Sequence, residues 1–293
     1  MVVWAANFIV VKDVIGILPP VAFTFMRYAL AAAALLVFLR WSEGTIAIPR
    51  RGRVRILVLG GLGFGVYQML WTVGLQTIPA GDSALIIAAS PVLTAVLAAL
   101  IGTDTLSPAK AFGVVLSFFG VVVVVGTGVG IELTGDPLGF ALTLGAALCW
   151  ATYTAVGARF LRDVSSLQLT TWATVGGVLV LAPVGLGQLA SPDGPAAVPS
   201  DAWPGILLAI AYSGLIAAAA ANVIIFRAVG LVGPTRVITF QTLIPAMAVV
   251  LAAVFLDEPI RAGQILGGAI ILVGVGLTRR ASSRPVNSRR VGG

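Results

Sequence analysis

Residues 91–100 read PVLTAVLAAL, and residues 245–254 read PAMAVVLAAV. The two stretches share a proline, a valine, a leucine and an Ala-Ala pair in the same register, 154 positions apart. Each proline interrupts a long apolar run, where it would break a helix of a water-soluble protein. A repeated and interrupted apolar segment predicts that the chain is built from two related halves.

The composition places the chain in a membrane. Of its 293 residues, 59% are hydrophobic and only 10% are charged, and the mean hydropathy is +1.06. An ordinary soluble domain is about a quarter charged. A chain this apolar cannot cover a water-exposed surface with polar groups. We therefore predict an all-α integral membrane protein.

The missing residue types exclude several kinds of chemistry. The chain has no histidine and a single cysteine, Cys149. An intrachain disulfide, a histidine-ligated zinc site and a Ser-His-Asp triad are therefore impossible. Cys149 lies among small apolar residues, which is typical of packing. No catalytic residues, metal site or cofactor are predicted, so the protein is expected not to be an enzyme.

Ten apolar stretches are each close to the roughly 20 residues that a helix needs to cross a bilayer. Their predicted bounds are 1–17, 21–40, 54–76, 82–101, 108–128, 137–159, 167–189, 203–226, 234–256 and 260–278. The first is the weakest, because it starts at Met1 with two residues before Trp4.

The positive charges predict the orientation of these spans. The net charge is +7, and fifteen of the 18 Lys and Arg residues fall on one side of the membrane if the two chain ends share that side. Because cytoplasmic loops carry the excess of Lys and Arg, both termini are predicted to be cytoplasmic, in the plasma (inner) membrane. Charge placed in such loops favours membrane orientation over nucleic-acid binding. Residues 279–293 are predicted to be a basic cytoplasmic tail, for which binding of anionic lipid headgroups is an alternative.

The repeat extends beyond the opening segments. An offset of 154 maps Gly113 and Gly120 onto Gly267 and Gly274, and an offset of 146 maps Trp4-Ala5 onto the Trp-Ala pair at 150–151. The two glycines of each pair are two turns apart and therefore share one helix face. Gly61 and Gly65, one turn apart, also share a face. Such glycine faces predict close helix packing. The halves, 1–130 and 131–278, each hold five spans. Because five is odd, the second half enters the membrane inverted, an architecture typical of transporters.

Several stretches together resemble a known family. These are WAANFIVVK at 4–12, LPP at 18–20 followed by Arg27, and in each half a proline-centred span, a short acidic turn and a Gly-x6-Gly span. In this order they resemble the EamA branch of the drug/metabolite transporter superfamily. The resemblance implies a central cavity lined mainly by spans 1, 3, 4, 6, 8 and 9. The first acidic turn departs from the family pattern, since it reads Gly-Thr-Asp at 102–104.

Polar and aromatic residues within the spans are candidates for lining such a cavity. Polar groups inside a membrane are costly and usually face a cavity or a partner helix. The alternatives are hydrogen bonds between helices for the polar residues and core packing for the aromatic ones. The candidates are Trp4, Asn7, Tyr67, Gln68, Trp71, Ser90, Thr94, Trp150, Tyr153, Asn222 and Gln241.

Two charges and two prolines have predicted roles of their own. Lys12 and Arg27 lie toward the outer ends of spans 1 and 2, where they would form a basic gate that favours anionic or zwitterionic solutes. Structural pairing of either cation with Asp13 is the alternative. Pro91 and Pro245 each remove a backbone donor, which favours a bend, and they are predicted to be paired hinges that border the cavity.

The sequence therefore predicts a secondary transporter of small organic solutes, such as metabolites and amino-acid-like or drug-like compounds. It would work by alternating access, and the resemblance implies efflux. A passive solute facilitator and a flippase-like protein for lipid-linked sugars are the alternatives. Expected partners are the small-molecule solute and membrane lipids, with no nucleic acid. A monomer and a homodimer are both open.

Overall fold

The computed structural model of the chain describes residues 1–48, 52–102, 107–129, 136–157, 164–224, 241 and 243–282. These residues form helices joined by short connections, and they contain no strand. In chain order the helices are α1 (Val2–Val14), α2 (Pro20–Glu43), α3 (Arg53–Thr77), α4 (Ala80–Leu100), α5 (Pro108–Val129), α6 (Pro137–Gly157), α7 (Ser166–Leu189), α8 (Trp203–Ile224), α9 (Leu243–Phe255) and α10 (Ala262–Ser282).

Eight of these helices, α2 to α8 and α10, are long and apolar enough to cross a membrane. The all-helical membrane class is thereby confirmed. α1 and α9 have 13 residues each. Much of the predicted ninth span, from 234 to 242, lies outside the described residues except for Gln241, as does most of the first acidic turn. The count of ten spans stays a prediction.

Helix ends follow local sequence signals. α2 begins at Pro20, and a proline fits there because the first helical residue needs no backbone N–H donor. After Glu43 the helix is terminated by Gly44, which has a left-handed φ of 72°. α7 begins with a capping box, in which Ser165 Oγ accepts from the Gln168 backbone N–H at 3.0 Å. α10 continues to Ser282, so Arg279 belongs to a helix rather than to the predicted tail.

Three helices depart from regular α geometry. α4 is broken at residues 88–89, just before Pro91. Pro91 cannot donate to the Ile87 carbonyl one turn earlier, and the Ser90 hydroxyl donates to that carbonyl instead at 2.6 Å. α3 and α8 contain π-helical stretches at Gly61–Val66 and Tyr212–Ala220, a geometry frequent at functional sites.

Glycines bring α5 and α10 into close contact. A Cβ built on Gly113 would lie 2.6 Å from the Gly274 carbonyl oxygen, and one on Gly120 would lie 2.7 Å from the Gly267 oxygen. Between these two contacts Ser117 Oγ donates to the Ile271 carbonyl at 3.2 Å. The predicted close approach at these glycines is confirmed.

A second pair of glycines packs the helices that flank the centre of the molecule. Gly60 of α3 lies against the backbone of Ala173 in α7. Gly214 of α8 lies against the backbone of Arg27 in α2, where an added Cβ would lie 2.6 Å from the Arg27 carbonyl oxygen. No side chain larger than hydrogen fits at either position without moving backbone.

The largest apolar core lies on the side of the molecule where α1 ends. It joins residues of α1, α2, α3, α4, α6, α8 and α9 around the loop from α1 to α2. We call it the closing cluster and define it by Val11, Val14, Leu75, Ala80 and Ala252, each at most 3% exposed. Many other large apolar side chains, such as Val37, Phe119 and Leu208, are exposed, as expected for surfaces in contact with lipid.

Candidate functional site

A cavity of about 250 Å³ lies between the helices. It is lined by α1, α3, α4, α6, α8 and α9, as the resemblance implies, and also by α2 and α10. The predicted residues among its lining are Trp4, Asn7, Arg27, Tyr67, Gln68, Trp71, Ser90, Pro91, Trp150, Asn222, Gln241 and Pro245.

The cavity is closed on one side. Its lining reaches Phe8 on α1 and Trp71 on α3. One turn further toward the end of α1, Val11 and Leu75 are fully buried in the closing cluster. In the opposite direction the lining extends to Arg279, near the end of α10. The described structure therefore separates the cavity from the side where α1 ends.

Arg27 is the central charge of the cavity wall. Its side chain is 2% exposed. Nη1 donates to Ser213 Oγ at 3.0 Å, and Nη2 donates to Gln68 Oε1 at 2.5 Å. The guanidinium also lies over the ring of Tyr28, 4.8 Å from its centre, and near Trp71 at 5.7 Å. Hydrogen bonds and cation–π contacts hold the guanidinium in place.

Neighbouring polar groups extend this network across the cavity wall. Gln68 Nε2 donates to the Tyr28 hydroxyl at 2.7 Å, which fixes the orientation of the amide. Ser213 Oγ donates to Asn7 Oδ1 at 2.6 Å. The network thus joins α1, α2, α3 and the π-helical part of α8. The polar groups of the wall are therefore connected by hydrogen bonds and are not isolated.

Aromatic side chains form another part of the wall. Trp71 stacks edge-on against Phe8 at 5.2 Å, and its indole N–H donates to Ser83 Oγ at 3.0 Å. Trp150 packs against Tyr67 at 5.4 Å. The Trp4 indole donates to the Ala217 carbonyl at 2.9 Å, within the π-helical stretch. These rings offer a rigid apolar surface to a bound molecule.

Two predicted cavity residues lie elsewhere. Thr94 Oγ1 donates to the Ser90 carbonyl of its own helix at 2.9 Å, and Thr94 is not part of the lining. Tyr153 packs behind the wall, 5.1 Å from the ring of Phe64 and 5.4 Å from Trp150. Tyr153 supports lining residues without lining the cavity itself.

Lys12 also lies outside the lining. Its ammonium donates to the carbonyls of Leu75, Gln76 and Ile78 at 2.6, 3.2 and 2.9 Å. These acceptors belong to the C-terminal end of α3, whose carbonyls lack partners within the helix. Lys12 therefore caps α3, and its part in a gate stays a prediction. Asp13 is exposed, and within the described residues neither Lys12 nor Arg27 forms an ion pair with it.

A separate charged cluster joins α4 to the start of α10. Asp82 has no exposed surface, and its carboxylate accepts from Arg261 and, at 2.7 Å, from Gln264 Nε2. Glu258 accepts from the backbone N–H groups of Ala80 and Gly81 at 2.8 and 3.3 Å. A carboxylate at a helix N-terminus is favourable. Asp82 is thus held by partners and does not line the cavity.

The sequence alone did not identify some residues of the cavity wall. Tyr28 and Phe64 are aromatic residues within spans, the same signal that selected Tyr67 and Trp150. Ser213 lacked a distinguishing pattern, because a lone serine in an apolar span can also bond its own helix. Arg279 was assigned to the tail, because charge alone marked the end of the last span.

Comparison with known proteins identifies the family. The sequence profile of the EamA-like transporter family matches residues 1–126 and 137–280, which is most of the chain. The chain belongs to this family. The predicted membership in the EamA branch of the drug/metabolite transporter superfamily is therefore confirmed.

Relatives of this EamA-like protein are named as transporters. It is 28% identical over 276 residues to "Uncharacterized transporter YyaM" of Bacillus subtilis (strain 168), covering 92% of this chain and 88% of that one. It is 25% identical over 289 residues to the "Probable amino-acid metabolite efflux pump" of Salmonella typhimurium (strain LT2), covering 94% and 90%. A solved crystal structure, 18% identical, shares its fold with a TM-score of 0.62 over 96% of both chains.

Proposed function

We propose that this EamA-like protein is a secondary transporter that moves small organic solutes through the described cavity by alternating access. The observation that carries the proposal is a cavity with a mixed polar and aromatic wall that the closing cluster seals on the side where α1 ends. A site open to one side at a time is what alternating access requires. The volume of about 250 Å³ suits a metabolite rather than a larger drug-sized molecule.

Reciprocal glycine contacts support the inverted repeat. The offset of 154 maps Gly113 onto Gly267 and Gly120 onto Gly274, and the two contacts pair Gly113 with Gly274 and Gly120 with Gly267. Each contact is therefore the image of the other, as in any two-fold interface. In the same way the offsets map the contact between Gly60 and residue 173 onto that between Gly214 and residue 27.

The proposed direction is efflux, with both termini in the cytoplasm of the cell and the closing cluster toward the outside. The Salmonella relative, named as an amino-acid metabolite efflux pump, supports this direction and an amino-acid-like solute. The excess of Lys and Arg on one side supports the orientation. Pro91 and Pro245, which both line the cavity, are proposed to bend as the halves rock.

Counterflow in proteoliposomes tests the proposal. Vesicles loaded with excess unlabelled compound would receive traces of labelled amino acids, organic anions or organic cations. A carrier accumulates label transiently and saturates with concentration. Linear flux without accumulation would indicate a passive facilitator, and co-purification of long-chain lipid-linked sugars without counterflow would indicate a flippase-like protein.

A further inference from the structure

Within the described residues, the charge of Arg27 has no protein counter-ion. Burial of a charged side chain is normally compensated by an opposite charge, because transfer out of water is costly. Among the described residues, Arg261 forms an ion pair with Asp82, whereas Arg27 forms none. The partners of Arg27 in the described part of the chain are neutral: the hydroxyl of Ser213, the amide oxygen of Gln68 and three aromatic rings.

The guanidinium also has donors left over. Its Nε is buried and has no hydrogen-bond partner among the residues that the structure describes. A guanidinium carries five N–H donors in a planar fork, and two of them serve Ser213 and Gln68. A buried, charged and partly unsatisfied donor set in a cavity wall is what a bound anion would complete.

We propose that Arg27 binds the carboxylate group of the transported solute. This inference rests on the proposed transport through the same cavity and specifies its substrate class. A carboxylate matches the planar fork in a bidentate manner. The surrounding rings of Trp4, Trp71 and Trp150 would contact an apolar or aromatic body next to that carboxylate. The preferred solute is a small carboxylic acid, with or without an amino group.

The repeat shows that the scaffold does not require this arginine. Position 27 corresponds to Ala173 in the second half, and the backbones of both residues pack against a glycine of the neighbouring half. Alanine therefore suffices for the helix contact. The guanidinium is an addition to one half, at the point where that half faces the cavity.

Gln68→Glu offers a test that preserves the fold. Its side chain already lies 2.5 Å from Arg27 Nη2, so a glutamate of the same shape would pair with the guanidinium inside the protein. The pair would compensate the buried charge and compete with any solute carboxylate. Arg27→Gln removes the charge directly. Arg40→Gln, on the exposed end of α2, is the matched control for losing one arginine.

The readout is ligand protection of the purified full-length protein against thermal unfolding, with acid and amide pairs of equal carbon skeleton as probes. The pairs are 3-phenylpropionate with its amide, and L-phenylalanine with L-phenylalaninamide. In the wild-type protein and in Arg40→Gln, each acid is expected to bind about 10- to 100-fold more tightly than its amide, the ratio expected for a charge-assisted hydrogen bond. Gln68→Glu and Arg27→Gln are expected to abolish this difference.

Equal binding of acid and amide by the wild-type protein would overturn the proposal, as would an unchanged acid preference in Gln68→Glu. Counterflow with the same compounds separates this inference from the proposed function. Transport of amides as fast as acids would leave the transporter function standing and remove the carboxylate site. Acid binding that depends on Arg27, without any counterflow, would support the site and count against transport.

Discussion

At the scale of single residues, Asp82 and Arg27 are buried charges with opposite surroundings. Asp82 is completely buried, and its carboxylate accepts from Arg261, just before α10, and from Gln264 of α10. Arg27 is equally buried but has neutral partners. A compensated charge is typical of a structural link between helices, whereas an uncompensated charge in a cavity is typical of a binding site.

The first prediction concerns the link made by Asp82. Arg261→Met is expected to lower the free energy of unfolding by up to about 3 kcal/mol, because it leaves a buried carboxylate without its cation. Asp82→Asn combined with Arg261→Met is expected to recover most of that loss. Chemical denaturation in lipid–detergent micelles measures both variants. Purely additive effects of the two substitutions would contradict this account.

At the scale of helices, the close packing of α5 against α10 depends on glycines at the contact points. Gly120 of α5 meets the backbone of Gly267, whereas Gly126 of the same helix has no atom within 4 Å of an added Cβ. The two positions therefore test close packing within one element, one in contact with α10 and one free of it.

Gly120→Ala is expected to destabilise the protein by about 1–3 kcal/mol, because the new methyl group would overlap backbone that cannot rotate away. Gly126→Ala is expected to be neutral or to stabilise by up to about 1 kcal/mol, since alanine favours the helix. Unfolding temperatures in a common detergent compare the two. Equal effects of both substitutions would show that α5 and α10 tolerate separation.

At the scale of the whole molecule, the closing cluster separates the cavity from the side where α1 ends. Ala218 lines the cavity, whereas Ala252 lies in the closing cluster and is 1% exposed. Both are small residues that cysteine can replace. The single native cysteine, Cys149, can be changed to alanine to provide a clean background.

In that background, Ala218→Cys is expected to react with a membrane-impermeant methanethiosulfonate mainly in inverted vesicles, because the proposed orientation places the closing cluster on the outer side of the cavity. Ala252→Cys is the control and is expected to stay unlabelled from both sides. Labelling of position 218 mainly in right-side-out vesicles would reverse the proposed orientation. Rapid labelling from both sides would indicate an open pore.

The sequence predicts the helices well and the cavity only in part, for a physical reason. Bilayer thickness sets the length of each span, so the bounds of α2 and α7 follow from hydropathy. Spans that are apolar all round carry little signal for which face turns inward. Arg27 and Ser213 are 186 positions apart in the sequence. Predicting their contact requires knowing how both α2 and α8 are rotated about their axes. Thr94, a polar residue on the same helix as Ser90, lies outside the lining, and the sequence carries no signal that separates the two.

The charge of Arg27 also connects the cavity to the membrane potential. Moving a unit charge across the whole membrane potential changes the free energy by about 2.3 kcal/mol per 100 mV. A simple carboxylate would cancel the charge of Arg27, so only the empty carrier would respond to voltage on its return, and net flux would be electrogenic. An amino acid brings its own ammonium and leaves the cavity charge unchanged, which makes its net flux electroneutral. Electrical recording could therefore tell the two solute types apart.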